Sequence, residues 1–545
     1  MLNFMNPMII LSILMMMVSL ILLFKSTFIS LKIPMIPLMT SNIDITFILD
    51  WMSLMFMSTV LLISSFIIMF SYSYISNTQH NQFKFMLMLF ILSMLILISS
   101  NNIIILILGW DGLGITSYIL VIFYQNHSSA ASGTITIMMN RLGDIAILIS
   151  IAILFFSMNW SFKSQFHPML IIFLLMVAAI SKSAQFPLSA WLPAAMAAPT
   201  PISALVHSST LVTAGVFIMI RTMNFNHPMS MYILLIISSF TSIYSSLSAM
   251  WENDMKKIIA MSTLSQIAIM MFSISMGALF IAFFHLITHA FFKSSMFLCA
   301  GSMIHNHSYQ DMRNMSSQFH STPIISSMLG LNSMALMGLP FLSGFFSKDA
   351  IIEFMLTSKL NSTLTFIMIS SILMTSLYTM RMNLLSTMPL IKSKPDMMLY
   401  NDKYINIPIM MMSPISIFLG TLILWMSNST QMFIIPTNLK MSILLSLSLG
   451  ILLSFLFPLT NKKFISLTET SISLWFLHFL STQFLNYINK MTNSSMKLDN
   501  SWQEIYGPTS SFNQNKFIST KINTILINFM IIMILISMTP TMILM

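Results

Sequence analysis

Long uninterrupted apolar runs follow one another along almost the whole of this chain. Many reach about 20 residues, the length that carries a helix across a bilayer. Only 7% of the 545 residues are charged, against about 25% in a soluble domain. That excludes a soluble globular protein. Disorder is excluded as well, because disordered chains lack apolar residues, and 56% of this chain is hydrophobic. A transmembrane barrel would alternate apolar and polar residues, and these runs are continuous. The reading is an all-α polytopic membrane protein.

Apolar segments recur at about 7–24, 45–72, 84–100, 102–124, 134–157, 168–197, 199–221, 230–250, 257–276, 278–303, 323–357, 363–388, 407–427, 441–459 and 521–543. They predict about 15 (14–16) transmembrane helices. Two segments are too long for one ordinary span and carry polar interruptions. The first, 168–197, contains Lys182, Gln185 and Pro187; the second, 323–357, contains Pro340, Gly344, Lys348 and Asp349. Proline removes a helix donor and clashes with the preceding turn, and a broken helix survives in a membrane only where protein or water surrounds the break. Paired interrupted segments mark the ion site of many transporters. Each is the fourth segment of a five-segment unit, which predicts two five-helix repeats, 84–221 and 230–388. An odd number of spans makes the second inverted relative to the first. The remaining divisions are N-terminal spans over 1–83, additional spans over 389–461, a lateral amphipathic helix region over 462–520 and a closing span over 521–545. The lateral region holds more charge, yet Leu474, Trp475, Phe476, Phe479, Leu480, Phe484 and Leu485 give it an apolar face, which suits a helix lying along a surface.

The net charge of +10 is spread thinly, so nucleic acid is not an expected partner. Lys392 and Lys394, and Lys462 and Lys463, read as loop anchors. Cys299 is the only cysteine, which excludes an intrachain disulfide and a zinc or iron–sulfur centre built from this chain alone. The run 7–24 lacks a basic leader and a small-residue cleavage site, so no cleavable address is expected. The 59 methionines and 14 glycines suit an AT-rich organellar gene.

Charges inside the spans cost about 2.5–3.5 kcal/mol each on insertion scales, so each needs a reason. Asp111, in Gly109-Trp110-Asp111-Gly112, is either an interfacial carboxylate or a proton or ion group. Lys182 lies too deep to snorkel easily, which favours function, and Asp111 is its expected neighbour. His207 is a packing histidine or, given Ser203, Ser208 and Thr210 beside it, a relay. His285, His289 and Lys293 recur every fourth residue and share one helix face. Proton hopping suits them better than structural hydrogen bonding or metal binding, since no third ligand accompanies the histidines and imidazole titrates near neutrality. Lys348 and Asp349 form an interfacial ion pair or a proton entry or exit. Arg141 and Asp144, three residues apart, read as a structural ion pair. Glu252, Asp254, Lys256 and Lys257 read as solvated loop charges. No phosphate loop, haem pair or nucleophile elbow is present.

These motifs, in this order, resemble the antiporter-like subunits of proton-pumping NADH:quinone oxidoreductase, respiratory complex I. The resemblance rests on Leu108-Gly109-Trp110-Asp111-Gly112, Asn140-Arg141-Leu142-Gly143-Asp144, Ser181-Lys182-Ser183-Ala184-Gln185, the run from Pro199 to His207, the run from His285 to Lys293, and Gly344-Phe345-Phe346-Ser347-Lys348-Asp349, over about 84–390. It implies a proton-translocating subunit of the mitochondrial inner membrane, multi-pass and organelle-encoded. No cofactor is expected on this chain; NADH, FMN, iron–sulfur clusters and ubiquinone belong elsewhere in the complex. It also implies that Asp111 is the gating carboxylate, Lys182 its partner, Lys293 the connecting lysine, Lys348 the terminal lysine, and His207, His285 and His289 relays. The other membrane-arm subunits and lipids such as cardiolipin are the implied partners, with the lateral helix along the adjacent antiporter-like chains. The family usually has Glu where this chain has Asp111. The alternative is a subunit of a cation/proton antiporter complex, which could use the same core residues.

Overall fold

The computed structural model of the chain describes residues 4–37, 42–157, 160, 169–223, 227–315, 322–357, 362–387, 402–427, 436–456, 469–471, 477–503 and 507–522. Two compact units are present, residues 1–475 and 476–545.

The first unit opens with helix α1 (Met5–Lys25) and a hairpin of β1 (Ile29–Pro37) and β2 (Asn42–Leu49). Among the described residues the hairpin is a small two-stranded addition to a helical fold, and its second strand takes the start of the apolar segment expected from 45. Its signal is the alternation of Ile43, Ile45, Phe47 and Leu49, a period of two that a helix does not have. Asp50 then caps α2 (Trp51–Tyr74) reciprocally with Ser53, which stops the strand and starts the span.

Helices α3 (His80–Ser99), α4 (Ile103–Val121), α5 (His127–Ser157) and α6 (Met169–Lys182) follow. After a break come the short α7 (Trp191–Ala194) and α8 (Thr200–Thr222). Next are α9 (Pro228–Trp251), α10 (Met255–Ser275), α11 (Leu279–His307), α12 (Pro323–Met337), α13 (Ser343–Thr357), α14 (Ser362–Thr387), α15 (Lys403–Ser427) and α16 (Thr437–Leu456). Among the described residues twelve helices are long and apolar enough to cross a membrane. The shorter apolar helices α6 and α12 are the first halves of the two interrupted segments, which break at 183–190 and 338–342. The expected closing span over 521–545 lies outside the described residues beyond Ile522.

Burial sorts the helices. The apolar windows of α8 and α10 are fully enclosed, and that of α11 nearly so, whereas α1 and α16 present most of theirs outward. Helix α11 packs against α2, α8, α10, α12, α13 and α15. A helix enclosed all round is apolar all round, so the polar residues α11 does carry must find partners inside the bundle.

At the α9–α10 turn the expectation of solvated charges fails for two of four residues. Glu252 and Lys256 are buried, while Asp254 and Lys257 are half-buried and pair at 3.0 Å. Lys256 Nζ donates to the Ala198 carbonyl at 3.2 Å. Arg381 of α14 donates to the carbonyls of Met250 (2.5 Å) and Glu252 (2.7 Å) and to Asn253 Oδ1 (2.9 Å). Burial pushes the Glu252 carboxyl above its usual range; Lys257 opposes the shift and Asp254 adds to it. Arg381 thus satisfies the carbonyls that the end of α9 leaves open.

Replacing Arg381 by Met strands these acceptors in a buried place. The expected cost is about 2–4 kcal/mol, read as a lower thermal midpoint of the detergent-solubilised protein. Arg381→Lys should recover only part of it, since Lys lacks the planar fork. A midpoint unchanged in Arg381→Met would refute the role of this clamp.

The second unit contains α17 (Leu477–Lys497), which continues through a π-helical turn at Leu498–Gln503, and α18 (Pro508–Ile522). Both fall almost wholly within the region read as lateral and amphipathic. Leu474, Trp475 and Phe476 lie outside the described residues.

Candidate functional site

The buried charges gather in two arrangements. The first surrounds Lys182, the last residue of α6 and fully buried. A helix C-terminus carries partial negative charge, which suits an ammonium at the break. Its Nζ donates to the Trp110 carbonyl at 3.0 Å and lies 4.6 Å from the centre of the Trp110 ring. The indole Nε1 of Trp110 donates to Asp144 Oδ1 at 2.7 Å, and Arg141 meets the other oxygen of Asp144 at 3.4 Å. The pairing of Arg141 with Asp144 is therefore present, but Asp144 also belongs to the lysine's surroundings.

Asp111 is half-buried, and among the described residues no ion pair joins it to Lys182. Both carboxylates act electrostatically on the lysine, Asp144 more strongly than Asp111. The expected neighbour thus acts through space, and the residue beside it, Trp110, makes the contact. Around the break, Gln185 Oε1 accepts from Thr241 of α9 at 2.6 Å, and Trp191 donates to the Ser181 carbonyl at 3.0 Å.

His207 sits in a π-helical stretch, Ser203–Thr210, inside α8. Such stretches often mark functional positions. The imidazole is buried 6.1 Å from the Trp191 ring, and neither ring nitrogen has a hydrogen-bond partner.

The second arrangement runs along α11. His285, His289 and Lys293 are all buried, and the two imidazole centres lie 6.3 Å apart. Ser347 Oγ lies 2.8 Å from His285 Nδ1, Gln266 Oε1 lies 3.2 Å from Nε2, and Thr288 Oγ1 donates to Ser347 at 3.2 Å. Ser347 and Gln266 thus bracket the two ring nitrogens of His285. Lys293 Nζ donates to Ser262 Oγ, one turn from Gln266 on α10, and the Tyr378 hydroxyl lies against Ser262, Ser265 and Gln266. His289 has no partner at either nitrogen. Lys348 Nζ donates to Thr375 Oγ1 of α14 at 2.8 Å, and Lys348 acts electrostatically on both Lys293 and His285. Asp349 is half-buried and forms no ion pair with Lys348 among the described residues.

Two glycines deliver Lys348. Gly338 ends α12 at φ +88°, a left-handed backbone that favours glycine, and the Lys348 stem lies 3.7 Å from where its Cβ would be. At Gly344 a Cβ would fall 1.8 Å from the Ala335 carbonyl oxygen, so α13 begins against the end of α12.

Trp110, Ser262, Gln266, Ser347, Thr375 and Tyr378 escaped the sequence reading. Ser262 and Gln266 left a signal, a polar pair one turn apart in an apolar run. Trp110 stood in the motif around Asp111, but nothing in the sequence gave its side chain a contact of its own. Among the described residues no three His, Cys, Asp or Glu side chains gather as a metal site.

Two interrupted helices, each placing a lysine in the bundle interior, define the class: an antiporter-like membrane subunit. The family described as "NADH:quinone oxidoreductase/Mrp antiporter, TM" matches residues 100–375, and "NADH dehydrogenase subunit 5 C-terminus" matches 378–545. The chain is 41% identical over 493 residues to NADH-ubiquinone oxidoreductase chain 5 of Locusta migratoria, covering 86% of each chain. It is 40% identical over 490 residues to the Lumbricus terrestris chain 5, covering 85% of this chain and 84% of that one. A solved structure of the Mrp complex from Dietzia sp. DQ12-45-1b contains a chain of the same fold, with TM-score 0.77 and 20% identity. The match covers 96% of this chain, which spans 60% of that chain's length. The chain belongs to the NADH-ubiquinone oxidoreductase chain 5 family.

Gly344→Ala should force the two halves of the second interrupted helix apart and displace Lys348. The cost expected for such an overpacked contact is about 1–3 kcal/mol or more, visible as a lower thermal midpoint and less assembled complex. Gly330→Ala is the control, because a Cβ there meets nothing within 4 Å. Equal behaviour of the two variants would refute the close approach.

Proposed function

We propose that this chain is a proton-pumping membrane-arm subunit of H+-translocating NADH:ubiquinone oxidoreductase and carries no redox centre itself. The observation that carries the reading is the set Lys182, Lys293 and Lys348: each is buried, lies at a helix break or in the central helix, and is held by neutral hydrogen-bond acceptors. An ammonium held by neutral partners can give up its proton without leaving a carboxylate unpaired. A carboxylate about 4 Å away would add roughly 4 kcal/mol of attraction at an effective dielectric of 20, so bringing Asp111 closer to Lys182 would hold its proton and moving it away would release it.

The proton moves from Lys182 toward Lys293, and from there past Ser262 and by His285 and Ser347 to Lys348, with Gln266 orienting the His285 ring and Asp349 at the outlet. His207 and His289 serve as relays; their unpartnered nitrogens are places where internal water would complete the path. Lys293 and Lys348 feel each other's charge, so protonating one eases release from the other. Energy comes from quinone reduction in other subunits, which hold NADH, FMN, iron–sulfur clusters and ubiquinone. The chain resides in the mitochondrial inner membrane, organelle-encoded, beside other membrane-arm subunits and lipids such as cardiolipin. The polar and apolar faces of α17 support a helix along adjacent antiporter-like chains.

The likeness to the Mrp chain favours a second reading, a cation/proton antiporter. Native-gel migration separates the two. A very large band that oxidises NADH supports the first reading; a small complex with sodium flux and no NADH oxidation supports the second.

In reconstituted complex, Lys182→Ala and Lys348→Ala should each cut NADH-driven proton pumping several-fold while quinone reduction falls less. Lys→Arg at either site should substitute poorly, because Arg scarcely deprotonates. Full pumping by Lys182→Ala would sink the mechanism.

A further inference from the structure

Trp110 touches both the Lys182 ammonium and the Asp144 carboxylate, which come from different helices. It is fully buried. One edge donates to Asp144 of α5; the ring face and the peptide oxygen hold the Lys182 ammonium of α6. Gly114 lies one turn further along α4, and a Cβ there would stand 3.9 Å from Nζ.

We infer that Trp110 is a positioning residue, a latch that holds Lys182 while it is protonated and links its charge to that of Asp144. This rests on the proton-pump reading. Two physical points carry it. An aromatic face attracts an ammonium and has little to offer a neutral amine, and a carbonyl likewise bonds the charged form more strongly. Loss of the proton therefore loosens both grips at once and frees the amine to turn toward its next partner. The indole, in turn, is only a donor. It donates to Asp144 Oδ1 and Arg141 faces Oδ2, so both favour the charged carboxylate, and a proton arriving at Asp144 has to displace one of them. That proton would weaken the field on Lys182 and promote release. The charged groups that act on Lys182 are Asp144, Asp111 and Arg141, so the latch works within this set.

The test uses assembled complex in proteoliposomes, with the pH profile of NADH-driven proton pumping as the readout. Trp110→Phe keeps a ring and the carbonyl but loses the N–H; Trp110→Leu loses the ring as well. The alkaline limb of the profile should move to lower pH, by about half a unit in Trp110→Phe and about 1 unit or more in Trp110→Leu. In an Asp144→Asn background the further shift from Trp110→Phe should vanish. Unchanged profiles, or a uniform loss of rate at every pH, would show that Trp110 only fills space and overturn the inference. A shift that persists in Asp144→Asn would overturn the link to Asp144. If Trp110→Leu does not assemble, the Phe variant and its Asp144→Asn partner still decide. Lys182→Ala, run alongside, separates the two failures. Normal pumping there defeats the underlying reading, while impaired pumping there with unshifted Trp110 variants defeats the latch alone.

Discussion

A charge removed from water must be stabilised by something else, and this fold is arranged around three lysines placed where water is scarce. Their partners are mild: a carbonyl and an aromatic face for Lys182, a serine hydroxyl for Lys293, a threonine hydroxyl for Lys348. The arginines are treated differently. Arg221 meets Asp50 at 2.7 Å, and Arg381 spreads over two carbonyls and an amide oxygen. An arginine keeps its proton in any setting found in proteins, so strong partners make it a fastener. A lysine with weak partners stays able to change charge.

The backbone is broken where those lysines need to be. Lys182 ends the first half of its interrupted helix, and Lys348, from the second half of its own, folds over Gly338 at the end of the first. Lys182 thus stands at the C-terminal end of a half-helix, where the backbone carries negative character, while the Lys348 stem passes the end of another on its way to Thr375. The two breaks use different local means. Gly338 and Gly344 allow the second to close tightly, while Gln185 and Trp191 tie the first to its surroundings.

Enclosure of α8, α10 and α11 gives isolated polar residues partners inside the bundle. Ser262 and Gln266 on α10, His285 on α11, Ser347 on α13 and Thr375 on α14 come from four helices, and none would be notable alone. Ser262 holds Lys293, Thr375 holds Lys348, and Gln266 and Ser347 flank His285. The fields that these two lysines exert on each other make the set responsive as a unit, which is what a pump driven from a distance requires.

Apolar runs of bilayer length and the scarcity of charge were enough to determine the class of fold, because no other structure hides so much backbone in lipid. Proline and polar residues inside two over-long runs located the breaks, and the ionisable residues within spans singled out Lys182, His207, His285, His289, Lys293 and Lys348 as candidates, all of them buried. The hairpin at 29–49 was legible in its alternation but hidden among helical runs. Pairing was not legible. Whether Lys182 meets Asp111 or Trp110, and whether Arg381 reaches solvent or the end of α9, depends on ångström-scale distances between helices far apart in the chain. Periodicity says which way a residue faces on its own helix; only tertiary packing decides what stands opposite.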